Sequence, residues 1–159
     1  MPVTVRPAAS EDAALILSLI RDLAEYEKLL HEVEATQAHI EAALFCEAPK
    51  AFCDIALLDG EPVGIALWFY NYSTFVGRHG IYLEDLFVRP AARGAGAGKA
   101  LLANLARRCV AENLGRLEWA VLDWNAPSIA FYDSLGAAAM DEWTVRRMTG
   151  DALAKLAQA

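Results

Sequence analysis

The N-terminal part of the chain changes from a short alternation of polar and apolar residues to a helical spacing. Alternation over Val3–Arg6, ended by Pro7, predicts a first strand. Ser10, followed by two acidic residues, predicts the start of an amphipathic helix that runs to about Lys28. Thr36 predicts the start of a second helix. We therefore expect one strand and two helices before the main sheet.

Alternation then returns in three longer segments, at residues 51–58, 63–72 and 81–88. This pattern is typical of strands that are buried on one face. Asp59 and Gly60, between the first two segments, are the dipeptide most typical of a tight hairpin turn. A polar loop at residues 71–74 and 77–80 joins the last two. We therefore expect three antiparallel strands in succession.

The second half of the chain alternates helical and strand-like patterns. Five elements are expected there: a helix from Gly98 to about Asn113, a strand at 117–122, a helix from Asn125 to Gly136, a strand at 142–148 and a tail helix at 151–158. A strand, a helix and a strand in succession predict a parallel βαβ crossover. The fold class is then α/β, with a mixed, mostly antiparallel sheet and a central βαβ unit flanked by helices, in a single domain over residues 1–159.

Composition narrows the class of protein. Hydrophobic residues make up 56% of the chain and charged residues 22%, which suits a compact core. No apolar run is long enough for a membrane span, and the N-terminus has no apolar signal region. The three cysteines are odd in number and lack CxxC spacing, which favours buried free thiols and a cytoplasmic location. We expect no membrane partner.

Charge and histidine spacing exclude further classes. The net charge of −7 argues against nucleic acid as a partner, because neutralising phosphates requires a basic face. The same charge is compatible with a small cationic substrate. The three histidines share no ligand spacing, so we expect no metal site.

A glycine-rich loop follows the strand at residues 81–88 and leads into a helix. Free backbone N–H groups and the helix dipole make such a loop an anion site, most often for phosphate. A P-loop would need Ser or Thr after Gly98-Lys99, and Ala100 stands there. The spacing of Gly94, Gly96 and Gly98 also differs from the GxGxxG of a dinucleotide fold.

A third pattern fits this loop. Arg93-x-x-Gly96-x-Gly98, after a strand that ends at residues 86–88, resembles the acetyl-CoA loop of the GNAT superfamily of N-acetyltransferases. The resemblance covers nearly the whole chain and is greatest for the diamine (spermidine/spermine) and thialysine acetyltransferase branch. The matching segments are residues 20–29, 82–85, the loop itself and 120–125.

The resemblance implies acetyl-CoA as co-substrate and assigns residues to it. In the family the strand before the loop is bulged, and its exposed backbone pairs with the pantetheine arm; here those contacts fall to Leu86, Phe87 and Val88. The pyrophosphate would be wrapped by Arg93, Gly94, Ala95, Gly96, Ala97, Gly98 and Lys99. Asn125, assisted by Ser128, would help to hold the cofactor.

The resemblance also implies catalytic residues. Tyr132 matches the general acid that protonates the departing thiolate, although a core aromatic is the alternative interpretation. Glu84 matches the residue that contacts the amine or takes its proton through water. Tyr26 and Glu27 match substrate-binding positions, the alternative being a solvated helix end. Asp85 is expected on the opposite face of the strand and is interpreted as structural.

The branch suggests a small cationic amine as acceptor: a diamine, a polyamine, or thialysine and lysine-like compounds. The segment 136–143 and the turn at Asp59 are shorter than in relatives, which leaves the acceptor open and keeps protein amines as an alternative. A non-catalytic acyl-CoA sensor on the same fold is the rival function. The family also implies a homodimer.

Overall fold

The computed structural model describes residues 2–159, and its contacts divide the chain into two compact units, 1–120 and 121–159. The single domain expected over residues 1–159 stays a prediction. The first unit contains β1 (Val3–Pro7), α1 (Ala13–Tyr26), α2 (Gln37–Leu44), β2 (Phe52–Leu58), β3 (Glu61–Ser73), β4 (Arg78–Val88), α3 (Ala97–Ala111) and β5 (Leu117–Trp119). The second contains α4 (Ala126–Ser134) and α5 (Gly150–Leu156).

The five strands form one sheet in the order β1-β2-β3-β4-β5. Each of the first three strands pairs antiparallel with the next, and β4 pairs parallel with β5. The helix α3 connects the two parallel strands, as a crossover requires. The predicted fold class is therefore confirmed.

Helices cover both faces of the sheet. Ile16 and Leu19 of α1 are fully buried in one cluster with Ile55 of β2 and Phe87 of β4. Asp54 directly precedes Ile55 in β2. Because side chains alternate along a strand, Asp54 faces the other side of the sheet, toward α3. Asp54 is 3% exposed and accepts a hydrogen bond of 2.9 Å from the Trp68 indole N–H. Leucines of α3 are buried on that side of the sheet.

The predicted hairpin between β2 and β3 is confirmed. Asp59 has φ 51° and Gly60 has φ 84°, the two left-handed residues that a twisted hairpin turn needs. The next connection is shorter than expected, because β3 continues to Ser73 and β4 begins at Arg78. The polar residues at 71–73 and 78–80 are thus paired across the hairpin rather than looped out.

The helix ends follow known capping chemistry, with one difference from the prediction. Thr36 caps α2 by accepting a hydrogen bond from the His39 N–H at 3.2 Å. Residues 10–12 form a 3-10 turn before α1, and there the Asp12 carboxylate, not the Ser10 hydroxyl, accepts the Ala9 N–H at 2.7 Å. Asp12 also binds the Arg6 guanidinium with both oxygens, so its pairing with β1 outcompetes a serine cap.

The second unit departs most from the predicted elements. The helix opened by Asn125 is present and ends before Gly136, whose φ is 87°. Residues 142–148 are not a strand, and Trp143 and Val145 are more than 70% exposed. Alternation makes a strand only where a neighbouring strand completes its hydrogen bonds, and this segment has none in the described part of the chain. The strand β5 likewise ends at Trp119 rather than at residue 122.

Among residues 2–159, no helix combines the length and the apolar character that a membrane span needs.

Candidate active site

The glycine loop between β4 and α3 is shaped for close approach by a ligand. Gly94 and Gly96 have φ of 85° and 90°, and a Cβ at either position would meet no atom within 4 Å. Gly96 is the N-cap of α3, and the N–H groups of Ala97, Gly98 and Lys99 form its first turn. These groups have no acceptor within the helix, so the loop presents donors at the positive end of a helix dipole.

The last residues of β4 extend beyond β5, whose pairing with β4 covers only Ile81–Leu83. The sheet register decides which backbone groups face this open edge. Arg89 donates its N–H to the Val63 carbonyl, so Phe87 faces β3, whereas Leu86 and Val88 point their N–H and C=O groups away from it. Of the three residues expected to offer backbone contacts, the register assigns Leu86 and Val88 to the open edge and Phe87 to the sheet.

A β-bulge interrupts β4 at Glu84. Leu67 of β3 pairs with Asp85 and the next residue, Trp68, pairs with Leu83, so Glu84 has no partner across the hairpin. An extra residue breaks the alternation of side chains. Glu84 and Asp85 therefore line the same cavity, and the expectation that Asp85 lies on the opposite face is wrong.

This cavity is strongly acidic. It has a volume of about 360 Å³ and lies between the end of α1, the turn after it and the bulge of β4. Its lining residues are Ile20, Leu23, Ala24, Glu27, Leu29, Glu32, Val33, Glu84 and Asp85. Within residues 2–159, no cationic side chain forms an ion pair with Glu27, Glu84 or Asp85. We name it the acidic pocket.

Two carboxyl groups of the acidic pocket have perturbed acidities. Burial, together with the neighbouring charges of Glu84 and Glu27, raises the pKa of Asp85 to about 6. Burial alone raises the pKa of Glu27 above its ordinary value. A carboxyl with a pKa close to neutrality can exchange a proton at physiological pH, which is the property of a general acid or base.

Arg93 connects the glycine loop with the end of α1. Its guanidinium carbon lies 5.0 Å from the centre of the Tyr26 ring and 5.6 Å from that of the Phe87 ring. Its Nε donates a hydrogen bond of 3.0 Å to the Val88 carbonyl oxygen. The guanidinium thus lies beside two aromatic rings and binds the open edge of β4, rather than extending alone into solvent.

The second unit carries three of the predicted residues on one short helix. Asn125 is 5% exposed and caps α4, its Oδ1 accepting the Ser128 N–H at 3.4 Å. Tyr132 is half-buried on the same helix, and its ring centre lies 5.5 Å from that of Phe131. The cap fixes where α4 begins and so fixes the position of Tyr132 along it.

The sequence analysis missed two residues of the acidic pocket, Glu32 and Asp85. A bulge has no signature in the pattern of a strand, so Asp85 was assigned by strict alternation to the wrong face. Glu32 lies in the turn after α1 and had no predicted role. In the described part of the chain, no group of three or more potential ligands is placed to hold a metal ion.

The mixed sheet, the loop of left-handed glycines and the open edge of β4 together match the N-acetyltransferase fold that the sequence resembles. The chain belongs to the acetyltransferase (GNAT) family, whose model matches residues 16–137. It is an acetyl-CoA-dependent N-acetyltransferase.

Curated relatives align over almost the whole chain. Thialysine N-epsilon-acetyltransferase of Bos taurus is 39% identical over 166 residues, covering 98% of this chain and 97% of the relative. L-ornithine N5-acetyltransferase of Arabidopsis thaliana is 30% identical, covering 94% of this chain and 85% of the relative.

Solved structures agree with the fold. An integron cassette protein of V. cholerae superposes with a TM-score of 0.81 at 24% identity, over 100% of this chain and 99% of the other. An aminoglycoside acetyltransferase from a soil metagenome superposes with a TM-score of 0.78 at 17% identity, over 94% and 97% of the two chains. At these identities the likeness shows the fold alone.

The residues present fit the co-substrate of this family. Acetyl-CoA carries an anionic pyrophosphate and an amide-bearing arm. The loop offers backbone N–H groups, and the absence of a Cβ at Gly94 and Gly96 lets a phosphate approach them closely. Leu86 and Val88 offer backbone N–H and C=O groups at the open edge of β4. The glycine loop, strand edge and acidic pocket all lie in the first unit.

Proposed function

We propose that this acetyltransferase moves the acetyl group of acetyl-CoA to a primary amine of a small cationic substrate by direct attack in a ternary complex. The observation that carries the acceptor class is the acidic pocket. Among residues 2–159, no cationic side chain forms an ion pair with its Glu27, Glu84 or Asp85, and the last two lie at the bulge of the strand that offers the donor contacts. The carboxylate of Asp85 is desolvated and has no cationic partner, which is costly, and a cationic ligand offsets that cost.

The names of the relatives support a substrate with more than one charged group. Thialysine and ornithine are amino acids with a terminal amine on a short chain. The acidic pocket presents carboxyl groups on two sides, Glu27 and Glu32 after α1 and Glu84 and Asp85 on β4. Two ammonium groups on one flexible chain match this distribution better than a single one. The acceptor class is therefore a diamine, a polyamine or a thialysine-like amino acid.

On the donor side, the loop residues 93–99 hold the pyrophosphate and the backbone of Leu86 and Val88 pairs with the pantetheine arm. The Val88 N–H, which points to the open edge, polarises the thioester carbonyl and stabilises the oxyanion that forms on attack. Acetyl-CoA supplies the activated acyl group. Asn125 and Ser128 are assigned to the cofactor on the resemblance of their segment.

The acceptor must lose a proton before it can attack. A primary ammonium has a pKa near 10.4, so deprotonation at pH 7 costs about 4–5 kcal/mol. In this mechanism Glu84 binds the ammonium, and its proton leaves through the carboxyl pair of Glu84 and Asp85. The burial of Asp85 makes it the better proton acceptor of the two, since its pKa is raised to about 6.

Collapse of the intermediate breaks the carbon–sulfur bond and releases a thiolate. We assign Tyr132 as the acid that gives its proton to sulfur. A phenol has a reference pKa near 10 and a thiol one near 8.5, so proton transfer from a phenol to a free thiolate is uphill by only about 2 kcal/mol. The transfer proceeds because it accompanies collapse of the tetrahedral intermediate, in which the carbon–sulfur bond breaks and the amide forms. The assignment rests on the resemblance and on the position of Tyr132 in the helix capped by Asn125.

Release of CoA thiol over a panel of amines tests the acceptor class. The panel contains putrescine, ornithine, lysine and thialysine, with n-butylamine as the singly charged control. We expect kcat/KM for the best dibasic amine to exceed that for n-butylamine by at least about 100-fold, because a second desolvated charge pair adds a few kcal/mol. Equal rates for mono- and dibasic amines contradict the acceptor class. Binding of acetyl-CoA without thiol release for any amine indicates the sensor instead.

Replacement of Tyr132 by Phe tests the acid. We expect kcat at saturating acetyl-CoA to fall by about 100-fold or more, with the Kd for CoA unchanged, because only proton transfer is lost. Phe131→Leu, on the neighbouring residue of the same helix, is the matched control and should retain kcat. An unchanged kcat in Tyr132→Phe across the pH range rejects the assignment.

A further inference from the structure

Arg93 touches residues of both predicted binding sites. Its Nε binds the carbonyl of Val88, at the edge assigned to the donor, and its guanidinium lies beside the ring of Tyr26, at the edge of the acceptor helix. Tyr26 is the last residue of α1, and the next residue, Glu27, lines the acidic pocket. One side chain thus spans the distance between donor loop and acceptor site within the first unit.

We propose that Arg93 is a positioning residue that couples the two substrates, so that bound CoA strengthens the binding of the amine. The inference rests on the proposed function. It adds the sign of the coupling between the two substrates and the residue responsible for that coupling. Without donor, the guanidinium is held by Val88 and the rings of Tyr26 and Phe87. With donor, it turns to the pyrophosphate and leaves Tyr26 to the acceptor.

Hydrogen-bond strength favours this exchange. A guanidinium binds phosphate oxygens through charge-assisted, often two-pronged bonds, which are stronger than its single bond to a neutral carbonyl. The Val88 carbonyl is also one of the backbone groups that the pantetheine arm would use. Binding of acetyl-CoA therefore weakens the contact between Arg93 and Val88 in two ways. Its phosphate oxygens bind the guanidinium more strongly, and its pantetheine arm occupies the Val88 carbonyl.

Charge gives the sign of the coupling. The guanidinium is positive at every accessible pH, and next to Tyr26 it opposes a cationic ligand in the acidic pocket. A bound pyrophosphate neutralises that charge. The amine then binds a site that is more negative overall and has a Tyr26 ring no longer stacked against an arginine. Both changes act in the same direction, toward tighter binding of the amine.

A purely structural role for Arg93 predicts something different. A staple between the loop and α1 stabilises the fold equally in the presence and absence of donor, so its loss lowers the melting temperature and leaves the coupling unchanged. Arg89 provides the matched control for this alternative. It also joins the loop region to α1, through Asp22 at 3.6 Å and the Ser18 hydroxyl at 3.3 Å.

Calorimetric titration of putrescine into the protein, with and without saturating CoA, measures the coupling without turnover. We expect CoA to lower the Kd of putrescine at least fivefold in the wild type, and putrescine to lower the Kd of CoA by the same factor, as linkage requires. In Arg93→Met the factor should fall to near one, and Arg93→Lys should retain part of it. Arg89→Lys should keep the wild-type factor.

Tyr26→Leu is the second variant, for the case that Arg93→Met does not fold. It removes the ring and should lower the coupling factor, while the electrostatic contribution of Arg93 remains. A wild-type factor of one, or an unchanged factor in both Arg93→Met and Tyr26→Leu, overturns the inference while CoA binding and amine acetylation leave the proposed function intact. If the wild-type protein does not bind CoA, both the inference and the proposed function are wrong.

Discussion

At the scale of single residues, Asp85 shows how function can oppose stability. Its carboxyl is buried beside Glu84 and Glu27, and its pKa is raised to about 6. The ordinary value of 3.8 applies when the chain is unfolded. Ionised Asp85 therefore destabilises the ligand-free fold by about 3 kcal/mol, at about 1.4 kcal/mol per unit of pKa. A site that must hold a reactive carboxylate without a partner accepts such a loss.

The sign of this effect predicts the behaviour of Asp85→Asn. Because the pKa is raised in the folded state, the destabilisation of the fold by ionised Asp85 is complete above pH 6 and disappears as the pH falls toward 4. Asp85→Asn should raise the free energy of unfolding at pH 8 by up to about 3 kcal/mol, with a gain that shrinks below pH 6. Urea unfolding at several pH values measures it.

The exposed acid Asp133 supplies the control for this experiment, and Asp133→Asn should change stability little at any pH. The same Asp85→Asn protein should acetylate amines more slowly, because the proton acceptor is gone. Greater stability together with undiminished kcat/KM at pH 8 speaks against Asp85 as a proton acceptor. A stability gain that does not depend on pH speaks against the raised pKa.

At the scale of elements, the sequence predicted those parts whose signals are local. The Asp59-Gly60 hairpin, the Thr36 cap and the Asn125 cap each depend on a few adjacent residues, and each is present. The loop of residues 93–99 was recognised because glycines with left-handed backbone have few substitutes. Local chemistry is readable from local sequence because no distant contact decides it.

The elements that were missed depend on distant partners. The resemblance implied a bulged strand, but the place of the bulge at Glu84 is set by Leu67 and Trp68 of β3, which pair with the residues on either side of it. Residues 142–148 alternate like a strand, yet no neighbouring strand pairs with them in the described part of the chain. The candidate site follows the same rule, because only its loop was predictable from local sequence. The direction of the Asp85 side chain required the strand register, and the position of Glu32 required the placement of the turn after α1.

The loop itself gives a prediction at this scale. Gly96→Ala places a side chain at φ 90°, which costs about 1–2 kcal/mol of stability, and adds a Cβ where the pyrophosphate would approach. We expect the Kd for CoA, measured by calorimetry, to rise at least tenfold. Gly60→Ala has nearly the same φ, 84°, and equally open surroundings in the hairpin, so it should lose similar stability and keep CoA binding.

Equal loss of CoA binding in Gly60→Ala and Gly96→Ala would attribute the effect to general destabilisation. Retention of CoA binding in both would place the pyrophosphate elsewhere. The pair therefore separates the conformational role of a glycine from its role in the approach of a ligand.

At the scale of the whole molecule, the expected homodimer has a plausible surface. Large apolar side chains of the second unit are about half exposed or more: Met140, Trp143, Val145, Met148, Leu153 and Leu156. So many exposed large apolar side chains within about twenty residues are costly in water unless a partner covers them. We expect sedimentation equilibrium to give twice the mass of the chain, and Trp143→Ser with Val145→Ser to shift the protein toward monomer. A monomer at all concentrations contradicts the dimer.

The order of strands in the sheet bears on how this chain is made. Each strand lies beside the strand that precedes it in the sequence, from β1 to β5. A ribosome releases the chain in that same order, so each strand emerges after its first neighbour is already available. No strand has to wait for a partner from the far end of the chain. The residues that build the acidic pocket, all between 20 and 85, leave the ribosome before the glycine loop does.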